Sequence, residues 1–441
     1  MSRFIENKRT KMKIHLDLDC FFVSAERARY PFLNGKCVVV AKGSDKKIFS
    51  NTKKDGRLLQ EAGAFNSILQ FDSNYDKSSV LTNWKKEFID EDGAIHAIVI
   101  AKSYECKPYG IKTGTHLGDA FCMCKELIVL PSDHMYYQSI SHKLKEFLDT
   151  KIPLIEQYSI DEFFGDLTGW INDEDVYDFI NDLQAQIMDI FSLPISIAAS
   201  ESKWIAKLAT DKIKPYGVKV VTKEKVDEFT QDIGINEFPG IGKSISKRLA
   251  SYYINTISQA KQYPSIFDSY GKMGKVLYKR ICGIDNEAVI PSVNRKGIGI
   301  SRNFSAIISR EELLRRVAIL ARYLSHTILK LNLNPTTFYF KIKYEYNLKA
   351  SKSITIDRVF NEKFLIDLAK EMFLTLDTHH NYKIHKISMN ASNFTSTSNQ
   401  KTLSLLTLQK DISQARLSQS LVKIRDKYGI DIIKYGIENI P

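Results

Sequence analysis

The chain has 441 residues, 44% hydrophobic and 26% charged, with a formal net charge of +12 and a pI near 9.1. That length exceeds what one hydrophobic core fills, so roughly two to four domains are expected. The composition is that of a soluble globular protein and holds no apolar run near the ~18 residues a membrane-spanning helix needs, while the positive balance favours a polyanionic partner, nucleic acid first.

In chain order, "MSRFIENKRTKM" is basic and polar and lacks the apolar centre of a signal peptide. Residues 1–12 are expected to be a disordered leader, with Met12 an alternative natural start. "KIHLDLDCFFV", 13–23, alternates as a strand, and "KCVVVA", 36–41, is a second. Residues 42–94 turn polar and irregular, an insertion with one helix expected around "GRLLQEAGAF". A strand resumes over 94–101, followed by an amphipathic helix over 138–148 and a strand or hairpin in "QYSIDEFFGDL". A helix over 175–191, a strand over 194–200 and a helix over 202–213 complete an α+β pattern. Residues 224–290 read as short helices, and 297–394 run β-α-β-β-α-β, the split-βαβ order. A polar linker, 395–402, precedes a last helix, 411–428. The six cysteines form no C-x-x-C pair and suit reduced thiols of a cytoplasmic protein.

Three segments carry chemistry. Asp17 and Asp19 share one face of the first strand, since side chains alternate. Asp161 and Glu162 face opposite ways unless a turn or bulge holds them. If the two segments are neighbours, Asp17 and Asp161 converge; if not, these are separate acids at strand ends. Convergent carboxylates repel unless a cation lies between them. Mg²⁺ suits hard oxygen ligands, and two such ions about 4 Å apart can activate an attacking hydroxyl and stabilise a leaving oxygen. "SYECKPYG", 103–110, and "KPYG", 214–217, offer Tyr104, Lys107 and Lys214 to a triphosphate, or simply exposed lysines and a core tyrosine. "FPGIG", 238–242, is a tight turn opening a helix, whose backbone N–H groups at Gly240, Ile241 and Gly242, with Lys243 beyond, suit a nucleic-acid phosphate.

Taken together, "DLDCFF", "SYECKPYG", "YSIDE", "SKWIAKLATDKIKPYG" and "FPGIG", in that order, resemble the Y-family translesion DNA polymerases, on the branch of DNA polymerases IV and V. The resemblance covers residues 13–41 and 94–394. It implies a multidomain right hand of α+β class: palm over 13–30 and 94–223, with 103–125 grading into the fingers; fingers with an extended insertion over 31–93; a helical thumb with a helix-hairpin-helix over 224–290; and a split-βαβ little finger over 295–394. Residues 395–441 would hold a linker, a clamp motif and the C-terminal helix. It makes Asp17, Asp161 and Glu162 catalytic metal ligands for two Mg²⁺ ions, with the Leu18 carbonyl assisting, and gives Asp19 a structural role. Phe22 takes the steric-gate position under the incoming sugar, Phe21 supports it, and Tyr104, Lys107 and Lys214 become triphosphate contacts.

The little finger would lay Arg302, Lys341 and Lys343 on duplex phosphates, with Arg295, Lys296, Lys349 and Lys352 as further candidates. "QKTLSLL" fits a bacterial sliding-clamp pattern through Gln400, Leu403, Leu405 and Leu406. The expected partners are therefore primer-template DNA, dNTP and the clamp, with no membrane and a monomeric chain. Three features depart from the family pattern: Lys107 where Arg is usual, Ala101 where a hydroxyl is common, and a longer fingers segment. Lys keeps the charge of Arg but not its bidentate fork. A non-catalytic scaffold relative would be expected to lack one of the acids at 17, 161 or 162, and all three are here. A third class is another two-metal phosphoryl-transfer enzyme, a nucleotide cyclase or a nuclease; "FPGIG" and the split-βαβ unit argue against a cyclase, and Mg²⁺-dependent primer extension would separate the rest.

Overall fold

The structure is a computed structural model. It describes residues 11–43, 48–49, 56–58, 69–71, 88–89, 95, 97–291, 295–395 and 405–439. The chain divides into two compact units. The first comprises Met1–Val40, Val99–Thr115 and Asp119–Val293, and the second Ala41–Ile98, His116–Gly118 and Asn294–Pro441. Among the described residues no helix is long and apolar enough to cross a membrane. The expected leader and the clamp residues Gln400 and Leu403 lie outside the described residues.

The first unit is built on a five-stranded sheet in the order β10-β9-β1-β8-β7, where β1 is Lys13–Leu18, β7 Leu154–Gln157, β8 Glu162–Asp166, β9 Ile195–Ser200 and β10 Val218–Val221. β1 runs antiparallel to both β8 and β9, and β10 parallel to β9. β1 is central and lined by apolar residues, and Ile14, Leu16 and Leu18 are fully buried. The expected strand over 13–23 is cut short: it ends at Leu18, and Phe21–Arg29 is a helix. The helices His134–Lys151, Val176–Phe191 and Lys203–Ile213 belong to this unit, and the last two pack against β9. Ser202 opens the third helix by accepting from the Ile205 N–H at 3.2 Å. Short helices follow over 226–281, packed on a core that includes Trp204, Leu208, Phe238, Ile241, Leu249 and Ile281.

The second unit holds the split-βαβ. Its sheet runs β11-β14-β12-β13, with β11 Gly297–Ile307, β12 Pro335–Tyr344, β13 Lys349–Thr355 and β14 Ile384–Phe394, antiparallel throughout. The helices Arg310–Lys330 and Glu362–Leu376 bury the apolar alternates, such as Ile298, Ile300, Phe338, Phe340, Ile387 and Met389. Two differences from the sequence reading arise here. The last helix starts at Leu405 rather than 411, so Leu405 and Leu406 fall in its first turn. In the insertion over 42–94, Gly56–Leu58 is a strand paired antiparallel with Leu69–Phe71, where a helix was expected to begin. Also from the insertion, Ile48 and Phe49 are buried in the core of this unit, and Arg315 Nη2 donates to the Phe49 carbonyl at 3.0 Å.

The segment 405–439 is fastened to this unit by buried charge. Arg425 donates to both Glu362 oxygens, at 2.5 and 3.1 Å, with side-chain exposures of 0% and 1%. Arg322 meets Glu438 at 2.8 Å and Asp431 at 2.7 Å. Such pairs give little net stability over an apolar replacement, but breaking one leaves a buried charge unpaired. Arg425→Met is therefore expected to destabilise the unit by about 3–5 kcal/mol, and the double variant Arg425→Met/Glu362→Leu to recover most of it. Urea unfolding of the full chain checks this; equal loss in single and double variants would contradict it.

Candidate active site

The site grows from the C-terminal end of β1. Asp19 and Cys20 turn the chain into the helix, with Cys20 at φ 48°, a left-handed conformation uncommon for a residue with a Cβ. Asp19 N–H donates to the Pro194 carbonyl at 2.9 Å, and Ser24 Oγ donates to the Asp19 carbonyl at 2.5 Å. Across the sheet, the β7–β8 hairpin turns at 158–161, where Tyr158 and Ser159 N–H both donate to the Glu162 carbonyl. Asp161 thus sits in the turn and Glu162 begins the strand. Register places Asp17 directly opposite Glu162, and Leu18 N–H donates to the Asp161 carbonyl at 3.0 Å.

These acids do not stand alone. Lys214 Nζ lies 2.6 Å from Asp17 Oδ2, and Lys207 Nζ 2.5 Å from Glu162 Oε1. Ser159 Oγ donates to Asp161 Oδ1 at 2.6 Å. Burial pushes Asp17 up to about 8, against the pull of Lys214 and with help from Glu162 and Asp161. Burial also raises Asp161, opposed by the Ser159 bond, and raises Asp211 nearby. Burial works against the Lys214 ammonium, yet the Asp17 carboxylate beside it outweighs this and its pKa is raised. His15, two residues before Asp17 on the same face, is fully buried, and neither ring nitrogen has a hydrogen-bond partner. Burial and then Lys207 hold its pKa well below the usual value, so it adds no positive charge.

Asp17, Asp161 and Glu162 are hard oxygen donors of the kind that Mg²⁺ takes. Burial raises the Asp17 and Asp161 carboxyls, and a divalent ion beside them would favour their charged forms. Among the described residues no group of three His, Cys, Asp or Glu is already spaced to hold an ion. Two of the three carboxylates are instead drawn to lysines.

Asp19 is a bound structural group. It accepts from Ser196 Oγ at 3.0 Å, Tyr216 N–H at 2.8 Å and Tyr104 Oη at 3.2 Å. The Tyr104 turn thereby hangs on the same strand end as Asp17. Lys107 is exposed, with its ammonium 4.4 Å from the Tyr104 ring centroid. Of the two aromatic neighbours, Phe21 is buried and Phe22 half-buried. Phe22 stacks on Tyr137 with centroids 4.4 Å apart and 14° between planes, and His134 meets it edge-on. The sequence reading missed Lys207 and Tyr137; the lysine spacing 203, 207, 214 was the available signal for the first.

The expected DNA contacts divide. In the thumb, Gly240 takes φ 95°, which favours glycine, and Gly242 and Lys243 are exposed at the start of the helix Lys243–Ala250. Ile241 does not join them: its side chain is 6% exposed and its N–H donates to the Phe238 carbonyl. On the little-finger sheet, register places Lys341, Lys343, Lys349 and Lys386 on the open face, with Ser301, Ser388, Asn390 and Ser392. Burial lowers the Lys386 pKa, and Lys343 and Lys341 add to it, so the lysines crowd one another. Arg302 is a correction. Alternation turns it to the helix-packed face with Ile300 and Phe304, 7% exposed, where its Nη1 donates to the Ser301 carbonyl. Lys352 likewise alternates away from that face.

The family models described as impB/mucB/samB family and impB/mucB/samB family C-terminal domain match residues 66–211 and 295–405. A DNA polymerase IV of Bacillus anthracis is 25% identical over 435 residues, 97% of this chain and 94% of its own. One of Shewanella halifaxensis is 25% identical over 307 residues, 69% of this chain and 72% of its own. A solved Y-family DNA polymerase chimera of Dbh and Dpo4 superposes with a TM-score of 0.68 at 20% identity, covering 87% of this chain and 99% of its own. An insertion ternary complex of Dbh DNA polymerase gives 0.53 at 19% identity. With Asp17, Asp161 and Glu162 brought together at one end of the palm sheet, and both family models matched in order, the chain belongs to the impB/mucB/samB family and is a DNA polymerase of the Y-family.

Proposed function

We propose that this polymerase is a low-fidelity translesion enzyme that joins dNTPs to a primer 3′-hydroxyl at Asp17, Asp161 and Glu162. The observation that carries the reading is the register pair Asp17–Glu162, with Asp161 tied to Leu18 by a backbone bond. These three carboxylates and the Leu18 carbonyl would hold two Mg²⁺ ions. The ions would supply Lewis acidity at the attacking and leaving oxygens. The chain's own residues do the rest. Ser159 fixes the Asp161 carboxylate. Tyr104, held by Asp19, and Lys107 and Lys214 present hydroxyl and ammonium groups to the triphosphate. Primer oxygen forms a bond to the α-phosphorus as the bond to the pyrophosphate leaving group breaks. Phe22, braced by Tyr137, occupies the space a 2′-hydroxyl would need.

Basic faces supply sequence-independent grip on primer-template DNA: Gly240, Gly242 and Lys243 in the thumb, and Lys341, Lys343, Lys349 and Lys386 on the little finger. A scaffold without catalysis is the other reading, and retention of all three acids speaks against it. The clamp reading rests on Gln400, Leu403, Leu405 and Leu406; with Leu405 and Leu406 in a helical first turn, binding as an extended peptide would unwind that turn.

Asp161→Asn should abolish Mg²⁺-dependent primer extension while leaving DNA affinity within about twofold, since Asp161 makes no phosphate contact. Extension at the wild-type rate would remove the metal-site assignment. Phe22→Ala should raise ribonucleotide insertion relative to deoxynucleotide by about tenfold or more, the scale of a lost packing clash; an unchanged ratio assigns the gate elsewhere. Replacing Gln400, Leu403, Leu405 and Leu406 with alanine should keep extension on short templates and remove stimulation by a loaded sliding clamp. Equal stimulation would make the segment a structural linker.

A further inference from the structure

One helix lays a line of lysines across the palm sheet. Lys203 and Lys207 lie one turn apart on the helix Lys203–Ile213, and Lys214, in extended backbone, caps its C-terminal end. Each meets a carboxylate on a different strand. Lys203 meets Glu156 on β7 at 2.6 Å, Lys207 meets Glu162 on β8 at 2.5 Å, and Lys214 meets Asp17 on β1 at 2.6 Å. The first pair is structural: Glu156 also accepts from Ile290 N–H at 2.8 Å, and Lys203 is 6% exposed. The other two sit on carboxylates that the proposed reaction assigns to the metals. A carboxylate oxygen bound by an ammonium at 2.6 Å cannot give that lone pair to a divalent ion.

We infer that Lys207 and Lys214 are the resident counter-ions of the metal site, holding Glu162 and Asp17 in place without metal and competing with divalent ions for them. This rests on the reading of Asp17 and Glu162 as metal ligands. Three acids packed at one strand end repel, and the two ammonium groups supply the charge that lets them stay together. Each lysine has somewhere to go. Lys214 is also the candidate triphosphate contact, so an arriving nucleotide draws it off Asp17 as the site needs that oxygen. Lys207 lies 5.4 Å from the Tyr158 ring centroid, a face that suits a displaced ammonium. Lys207 is then a positioning residue, acting through Glu162.

The test is Mn²⁺ binding to the full chain without DNA or nucleotide, followed by the electron paramagnetic resonance of free Mn²⁺, at one fixed pH for all variants. Lys207→Met and Lys214→Met should each tighten Mn²⁺ binding by about threefold or more, the scale of one partly exposed ion pair. Lys207→Arg keeps the charge and should bind as the wild type does. Lys203→Met removes a lysine of the same stripe whose partner lies outside the site, and should also leave the affinity unchanged. Should Lys207→Met not fold, Lys207→Gln carries the same expectation. Asp17→Asn should weaken binding. Lysine variants that bind no tighter than wild type, while Asp17→Asn weakens binding, overturn the counter-ion role alone. An unchanged affinity in Asp17→Asn overturns the metal-site reading and the inference with it.

Discussion

The site depends on one pairing: β1 against β8 in the register that sets Asp17 opposite Glu162. Side chains alternate along a strand, so a slip of one residue would send Asp17 to the apolar face and bring Leu16 or Leu18 to the site. Several features pin the register. Ile14, Leu16 and Leu18 fill one face completely. Gly165 opposes Ile14, where a Cβ would stand 2.9 Å from the isoleucine side chain. Leu18 N–H closes the end of the ladder on the Asp161 carbonyl. The strand then stops because Asp19 and Cys20 are tied into the turn, and the helix that follows delivers Phe21 and Phe22.

Charge is the cost of that arrangement, and the helix Lys203–Ile213 with Lys214 meets it. Its lysines reach three adjacent strands, while β9 offers Ser196, Ala198 and Ser200 on the face where the helix approaches. Small residues there let the helix come close, and close approach lets the ammonium groups reach strand carboxylates. His15, neutral and buried beneath them, keeps the balance from tipping further positive. Asp19, which shares the strand end, holds Tyr104 and the Tyr216 amide. The same short stretch of β1 therefore sets both the acids and the loops around them.

Fold class and element order were legible in the sequence, because period-2 and period-3.6 patterns in the palm and little finger are strong. What the sequence hid were local and tertiary effects. "CFFV" has strand propensity, but the turn at Asp19–Cys20 puts it on a helix. Arg302 is charged and sits near other basic residues, yet alternation with Ile300 and Phe304 turns it inward. Ile241 lies within the "FPGIG" turn, and its apolar side chain is buried in the core there. The burial of Ile48 and Phe49 in the core of the split-βαβ unit depends on partners distant in sequence. At the site, acid identity was readable from motifs, whereas the pairing of each acid with its own lysine needed the sheet register.

The most direct measurement is a crystal structure of the enzyme with primer-template, Mn²⁺ and a non-hydrolysable dNTP, with the ions placed by anomalous scattering. The expected result is Mn²⁺ peaks against Asp17, Asp161 and Glu162, Lys214 on the triphosphate and Lys207 released from Glu162. Lys214 still bound to Asp17, with no anomalous peak beside these carboxylates and an otherwise ordered nucleotide, would contradict it.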